Sequence, residues 1–218
     1  MTKLLYEVLR QYKSFFIVYG LFLAIAAVGL LAYSKEETFF LVNSHHNSIA
    51  DVFFKLLTHL GDGLFFVLII VVLALYRYRL ALLGLVIFLG SSLIAQVLKL
   101  SFFNDVLRPV GHFSSDLSGI HFVDGVTRHV KNSFPSGHTT TAFALAIFLV
   151  LAFKMNRNSW LMAVVAILIG YSRVYLAVHF PVDVYFGSII GIVSAVLIFI
   201  WLDKPFNSKF GDKGLLRK

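Results

Sequence analysis

The sequence contains no cysteine and little charge. Without cysteine, disulfide bonds and thiolate metal ligands are excluded. Only 14% of the 218 residues are Asp, Glu, Lys or Arg, whereas 59% are hydrophobic and the mean hydropathy is +0.85. A soluble domain of this size needs more charged residues to cover its surface. The composition therefore predicts that a lipid bilayer is the solvent for much of the chain.

The hydrophobic residues are grouped in six stretches without the alternating pattern of transmembrane β-strands. Because a spanning segment must satisfy its own backbone hydrogen bonds, these stretches indicate helices. They cover about 15–33, 63–76, 80–98, 139–153, 159–172 and 184–202. We predict a single all-α domain over 1–218, a bundle of six transmembrane helices. The first stretch approaches the ~20 residues that cross a bilayer, so we interpret it as a retained span rather than a signal peptide.

Basic residues are distributed unevenly between the two sides of the predicted bundle. The side with both termini holds 12 of the 19 Lys and Arg residues, which predicts cytoplasmic termini in an inner or plasma membrane. This distribution indicates that the net charge of +8 reflects membrane orientation rather than nucleic-acid binding. Lys99, Arg108 and Arg173 stand at outer span ends, where topology does not require a basic residue. They suggest that an anion binds on the outer side.

The connection between the fifth and sixth stretches contains a histidine four residues before an aspartate. If the turn around Pro181 is helical, His179 and Asp183 lie on one face. A carboxylate that accepts from one imidazole nitrogen fixes the tautomer and leaves the other nitrogen more basic. A histidine nucleophile or base requires this arrangement. Arg173, six residues before the histidine, can fold back over the same position.

Two other outer segments add groups that suit a phosphate. Ser136 and Gly137 precede the fourth stretch, where the free N–H groups of a helix N-terminus favour an anion. His138 follows and can protonate a departing oxygen. Arg108 offers bidentate contacts to phosphate oxygens, and Lys99 adds a second cation. The combination predicts a site for phosphoryl transfer, in which fixed cations neutralise the phosphate oxygens.

These residues form motifs that resemble those of the type 2 phosphatidic acid phosphatases, also called lipid phosphate phosphatases. That superfamily is marked by K-x6-RP, PSGH and SR-x5-H-x3-D. The second and third motifs match in full, at 135–138 and 172–183. The first departs from the pattern, because eight residues rather than six separate Lys99 from Arg108. An extra half-turn or bulge would restore the position of the lysine.

The resemblance implies a role for each matching residue. His179 would be the nucleophile that forms a phosphohistidine, Asp183 would orient it, and His138 would be the general acid. The phosphate-binding residues would be Lys99, Arg108, Ser136, Gly137 and Arg173. The resemblance also implies hydrolysis without a metal or other cofactor. The substrate would be a membrane lipid, such as undecaprenyl pyrophosphate, phosphatidic acid, phosphatidylglycerol phosphate or lipid A, with the site at the outer ends of the spans.

Three other functions use or tolerate the same residues. A lipid phosphotransferase would pass the phosphate from the histidine to an acceptor other than water. An intramembrane serine protease would use Ser136 together with a histidine. A small transporter or scaffold is disfavoured, because beyond the motif ends no predicted span carries a central charge.

The remaining polar residues and small residues have plainer interpretations. The residue types of a metal site occur at His45, His46, His59 and Asp62, but their spacing favours a solvated loop or an interfacial helix. The loop 110–134, which we expect to cover the site or contact a headgroup, contains His112, His121 and His129. Gly187 and Gly191 form a small-xxx-small pattern that predicts close helix packing within the bundle.

Overall fold

The computed structural model describes residues 2–211 and 213–216, so residues 1, 212, 217 and 218 of the predicted domain lie outside it. The described residues contain helices and no strand, which confirms the all-α prediction. A 3-10 turn occupies Thr58–Gly61 and a π-helical turn occupies Leu98–Phe102. The α-helices are α1 (Thr2–Gln11), α2 (Lys13–Ala32), α3 (Lys35–Asn43), α4 (Ser48–Leu57), α5 (Gly63–Tyr76), α6 (Tyr78–Val97), α7 (Pro109–His112), α8 (Gly137–Ala152), α9 (Ser159–Tyr175) and α10 (Pro181–Phe210).

Length and composition decide which helices can cross a bilayer. Three described segments are long and apolar enough to do so: Lys13–Ala32, Tyr78–Phe102 and Pro181–Phe210. A fourth span results if Ser48–Gly61 and Gly63–Tyr76, which meet at a bend of 55°, count as one. Helices α8 and α9 have only 16 and 17 residues. Each of the six predicted hydrophobic stretches thus forms a helix. The number of helices that cross the bilayer stays a prediction.

Exposed hydrophobic side chains on the outer helices fit a lipid environment. Ile25 and Leu31 on α2 are 73% and 88% exposed, and Leu64 on α5 is 81% exposed. A soluble protein rarely leaves so much continuous hydrophobic surface in contact with water. The charge-poor composition and these surfaces together identify a membrane protein.

Helix α8 is the centre of the bundle. Every residue from Thr139 to Phe148 is buried, and α8 packs against α6, α9 and α10. Small residues such as Ala142 and Ala144 let neighbouring helices approach, while Phe143 and Phe148 fill the core beside Phe66. The N-terminus of this helix is consequently fixed in the middle of the fold.

The predicted close packing at the two glycines of α10 is confirmed. A Cβ atom at Gly187 would lie 2.8 Å from the carbonyl oxygen of Ser136, and one at Gly191 would lie 3.0 Å from the backbone nitrogen of Ala144. Only hydrogen atoms fit in these places, so the backbones of α8 and α10 touch. The backbone N–H of Ser136 also donates to the carbonyl oxygen of Asp183 at 3.1 Å. These contacts hold the N-termini of α8 and α10 side by side.

Candidate active site

The predicted histidine–aspartate pair forms, but through a helix cap and not along a helix face. Helix α10 begins at Pro181, so His179 lies outside it and the expectation of a shared helical face was wrong. The pair meets because Asp183, in the first turn, reaches back and accepts the backbone N–H of Phe180 at 2.9 Å. The same oxygen, Oδ2, accepts from Ser133 and lies 3.3 Å from Nδ1 of His179. Three donors therefore fix the direction of this carboxylate.

His179 is a neutral imidazole with one defined free nitrogen. Its ring is buried, and burial lowers the pKa of His179 to about 3, although hydrogen bonding to Asp183 acts in the opposite direction. Since an ionised carboxylate only accepts, Nδ1 carries the proton and Nε2 keeps its lone pair. A neutral ring with a fixed tautomer is what nucleophilic attack by Nε2 requires.

The chain reversal after α9 brings the backbone of Arg173 close to this histidine. Ala177 adopts a left-handed conformation with φ of 54°, and the backbone N–H groups of Val178 and His179 both donate to the carbonyl oxygen of Arg173. A left-handed alanine is unfavourable, so the surrounding structure must maintain it. The tight turn holds the backbones of His179 and Arg173 together.

Lys99 reaches the same cavity as Arg108 despite its longer spacing in the sequence. It lies in the π-helical turn Leu98–Phe102, where the N–H of Phe103 bonds the carbonyl oxygen of Leu98 at 3.1 Å. A π turn contains more residues than an α turn and takes up part of the additional spacing. A π turn is the kind of bulge that the eight-residue spacing between Lys99 and Arg108 calls for. The side chain of Lys99 is buried, only 8% exposed.

One cavity of about 400 Å³ collects most of the predicted site residues. Lys99, Arg108, Gly137, His138 and His179 all line it. Its remaining wall comes mainly from helices α5, α6 and α8, through Gly61, Gly63, Phe88, Ser92, Ala95, Gln96 and Thr141.

A second cavity of about 340 Å³ adjoins the first, and Arg108 and His138 line both. Arg173 lines the second cavity only. Its Nη1 donates to Thr58 at 2.5 Å, and its buried Nε has no hydrogen-bond partner among the described residues. Arg108 donates to the carbonyl oxygens of Lys131 and Asn132 at 3.1 and 3.3 Å, which fixes its guanidinium between the two cavities. Burial lowers the pKa of Arg108, although a guanidinium stays protonated at neutral pH.

Ser136 lines neither cavity and acts as the N-cap of α8. It is fully buried, and its oxygen accepts from the backbone N–H and the hydroxyl of Thr139 at 3.4 and 2.9 Å. Both bonds use the serine oxygen as an acceptor, so its own proton can still be donated. Gly137 follows as the first residue of the helix and does line the cavity. The first cavity is thus lined by two cations and two imidazoles, whereas Ser136 lies outside it.

Asp62 is the residue that the sequence did not lead us to place in this site. Its Oδ1 lies 2.5 Å from Nε2 of His138, and its Oδ2 lies 2.9 Å from Nδ1 of His59. The residues considered as a metal site do not come together: His46 stacks on His121 with ring centroids 3.7 Å apart, whereas His59 pairs with Asp62. The isolated Gly-Asp-Gly between two hydrophobic segments was the available signal.

The segment 110–134, which comprises the end of α7 and the loop before α8, borders the second cavity. His112 is paired with Glu36 of α3 at 2.6 Å, and His121 with Asp51 of α4 at 2.8 Å. Residues 125–127 and His129 line the second cavity. These contacts place the loop beside the site, and whether it covers the site or contacts a headgroup stays a prediction.

Comparison with known proteins assigns the chain to a family. Residues 77–206 match the PAP2 superfamily. The chain is 28% identical over 172 residues to the undecaprenyl-diphosphatase BcrC of Bacillus subtilis (strain 168), a match that covers 75% of this chain and 81% of that protein. It is 34% identical over 169 residues to phosphatidylglycerophosphatase B of the same organism, covering 70% and 73%.

Further similarities differ in how much of each protein they include. A match of 36% identity over 74 residues joins the chain to the bacitracin transport permease protein BcrC of Bacillus licheniformis, and the chain spans only 36% of that relative. The crystal structure of Aquifex aeolicus LpxE superimposes with a TM-score of 0.62 and 27% identity, over 75% of this chain and 93% of that one.

The chain is a member of the PAP2 superfamily. The resemblance predicted from its three motifs is confirmed. Relatives that align over most of its length are named as phosphatases of membrane lipids.

Proposed function

We propose that this protein hydrolyses a phosphomonoester or diphosphate of a membrane lipid through a phosphohistidine on His179. One observation carries the proposal: a buried, neutral imidazole with a fixed tautomer shares a cavity with Lys99, Arg108 and His138. No other described cavity contains the proposed nucleophile, the proposed acid and two cations together.

The first chemical step transfers the phosphoryl group to the enzyme. Nε2 of His179 attacks phosphorus, and the P–O bond to the lipid breaks as the P–N bond forms. His138 gives its proton to the departing lipid oxygen. Lys99 and Arg108, which line the cavity of His179, neutralise the equatorial oxygens, whose charge is spread out in the transition state. Arg173 adds its charge from the adjoining cavity.

The second step releases inorganic phosphate. His138, now neutral, removes a proton from a water molecule that attacks phosphorus, and the P–N bond breaks. His179 regains its neutral state with the proton still on Nδ1, where Asp183 accepts it. Asp183 keeps the ring oriented through both steps. Ser136 and Gly137 would contribute phosphate contacts at the N-terminus of α8.

We also propose that the site faces outward and that both termini are cytoplasmic. The distribution of basic residues supports this orientation. The lipid would enter with its phosphate toward Arg108 and its hydrophobic part along Phe88 and Ala95 of α6, which line the same cavity. Because relatives act on different lipids, the substrate class is proposed as a lipid phosphate or diphosphate without a chosen headgroup.

The decisive experiment measures phosphate release by the purified protein from a panel of lipid phosphates, with EDTA present. We expect release without added metal and its loss in His179→Ala, with an acid-labile phosphoprotein trapped from the wild type only. Release abolished by EDTA, or retained in His179→Ala, contradicts the mechanism.

The same panel separates the alternatives. A strict phosphotransferase releases no phosphate unless an acceptor is added. A serine protease loses its activity in Ser136→Ala and is no worse in His179→Ala, whereas the phosphatase shows only a partial defect in Ser136→Ala. A transporter moves a lipid across vesicles without releasing phosphate.

A further inference from the structure

Asp62 is the N-cap residue of α5, but its side chain does not cap the helix. It is the residue before α5, and the N–H groups of Phe65 and Phe66 bond to its backbone carbonyl oxygen. An aspartate in this position normally accepts a backbone N–H with its side chain, a contact worth about 1 kcal/mol. Among the described residues, the Asp62 carboxylate accepts no such hydrogen bond. Both of its oxygens contact imidazole rings instead.

The surrounding turn is shaped to bring this carboxylate to His138. A Cβ atom at Gly61 would lie 3.1 Å from the backbone carbonyl oxygen of His138 and 2.7 Å from Cγ2 of Ile169. A larger residue would push the turn away from the start of α8. The close approach places Oδ1 of Asp62 at 2.5 Å from Nε2 of His138.

This contact has a chemical consequence for the histidine. With Nε2 held by the carboxylate, Nδ1 is the nitrogen left for the substrate. When both nitrogens carry protons, the negative charge of Asp62 stabilises the imidazolium. The N-terminus of α5 adjoins this carboxylate, and its dipole favours a negative charge there. Burial lowers the pKa of His138, and the nearby cations Arg173 and Arg108 lower it further, so the imidazolium needs a counter-charge to form.

We infer that Asp62 is a positioning residue for the proposed general acid: it fixes the ring of His138 and holds its second proton. The inference rests on the proposed function, since it assigns a partner to the acid of that reaction. In the first step Nδ1 gives its proton to the lipid oxygen as the P–O bond breaks, and the ring becomes neutral with Nε2–H on Asp62. In the second step Nδ1 takes a proton from water, and the imidazolium is restored.

The test compares Asp62→Asn with a matched variant, Glu36→Gln. Glu36 also pairs its carboxylate with a histidine, His112, in the outer region, and it lines neither cavity. General acid–base catalysis contributes about 10²–10⁴-fold, so we expect Asp62→Asn to lower kcat/KM by about 10²-fold or more. Glu36→Gln stays near the wild type. Asp62→Asn with kcat/KM equal to that of Glu36→Gln overturns the inference.

A second measurement separates positioning from a purely structural role. If Asp62 acts through His138, adding Asp62→Asn to His138→Ala changes the remaining rate by less than about twofold, because the partner is already absent. A structural role lowers the rate by the same factor in both backgrounds and overturns the inference. Should His138→Ala be too slow to measure, Asp62→Glu decides: it keeps the carboxylate and must exceed Asp62→Asn in kcat/KM, and equal losses overturn the inference.

The outcome for the proposed function is read independently. Retained phosphate release in His179→Ala contradicts the proposed function, whatever Asp62 does. If His179→Ala and His138→Ala are both impaired while Asp62→Asn is not, the proposed function stands and only the role of Asp62 fails.

Discussion

Replacing Gly191 by alanine tests whether contact between α8 and α10 positions the site. The new Cβ atom would lie 3.0 Å from the backbone nitrogen of Ala144 and 3.1 Å from Cβ of Phe143, and closer still to the carbonyl oxygen of Thr140. Since carbon atoms pack best about 3.5–4.0 Å apart, α10 must move away from α8 by on the order of 1 Å. The neighbours are mainly backbone atoms, which cannot rotate aside.

The magnitude follows from two opposing effects. Overfilling a packed interface costs about 1–3 kcal/mol, whereas replacing glycine by alanine inside a helix gains about 1 kcal/mol. A net loss of up to about 2 kcal/mol lowers the unfolding midpoint by up to about 4–8 °C in a chain of this size. The same movement separates the N-termini that carry Asp183 and Ser136. A displacement of about 1 Å at a site can reduce the rate about 10²-fold.

The assay is thermal unfolding of the detergent-purified protein together with phosphate release. Gly20→Ala on α2 is the matched control, because no atom among the described residues lies within 4 Å of a Cβ placed there. We expect Gly20→Ala to keep the wild-type midpoint or raise it slightly. A Gly191→Ala protein with the wild-type midpoint and full phosphate release refutes the reasoning.

Three further predictions concern the cavity itself. Asp183→Asn should lower kcat by about 10³-fold or more, as for other aspartates that orient a catalytic histidine, with little change in KM, measured by steady-state phosphate release. Because burial lowers the pKa of His179 to about 3, its nucleophile stays neutral as the pH falls below the ordinary value of about 6.5. The acid limb that His179 gives to the pH profile of kcat/KM should therefore lie well below 6.5. Lys99→Ala removes a charged contact worth about 1.5–3 kcal/mol, so kcat/KM should fall about 10- to 150-fold, whereas Lys13→Ala at the other end of the helices should have no effect.

Each of these has an outcome that contradicts it. A large rise in KM with normal kcat in Asp183→Asn would mean that the carboxylate binds substrate. An acid limb near pH 6.5, identical for monophosphate and diphosphate substrates, would assign an ordinary pKa to the nucleophile. Equal activities of Lys99→Ala and Lys13→Ala would remove the lysine from the phosphate site.

The long helices could be predicted from the sequence, because each depends on a continuous hydrophobic stretch. Long hydrophobic stretches predicted α2, α5, α6, α8, α9 and α10, because only helices satisfy their backbone in a bilayer. The short helices α1, α3 and α7 were not predicted, although α3 carries a readable capping box of Ser34 and Glu37. Their hydrophobic pattern is too short to stand out from the neighbouring spans. Around α4 the sequence left a solvated loop and an interfacial helix open.

The site divides in the same way. Pairs that are close in sequence, such as His179 and Asp183, could be predicted, as could the bulge that Lys99 required. The contact between Asp62 and His138 joins residues 76 positions apart, and no spacing rule links them. The exact start of α10 was also beyond a pattern argument, since Pro181 is compatible with a helix that begins there or just before.

The break between α4 and α5 connects the site to the membrane around it. The two helices meet at 55°, and this junction supplies both Thr58, which holds Arg173, and Asp62, which holds His138. A change in the tilt of α4 would therefore act at once on Arg173, the proposed phosphate-binding cation, and on His138, the proposed acid. Tilting is one way in which a span adjusts to bilayer thickness, so phosphate release in thin and thick bilayers should differ more than substrate solubility explains. Membrane lipid would then affect the rate in two ways, as the substrate and through the thickness of the bilayer.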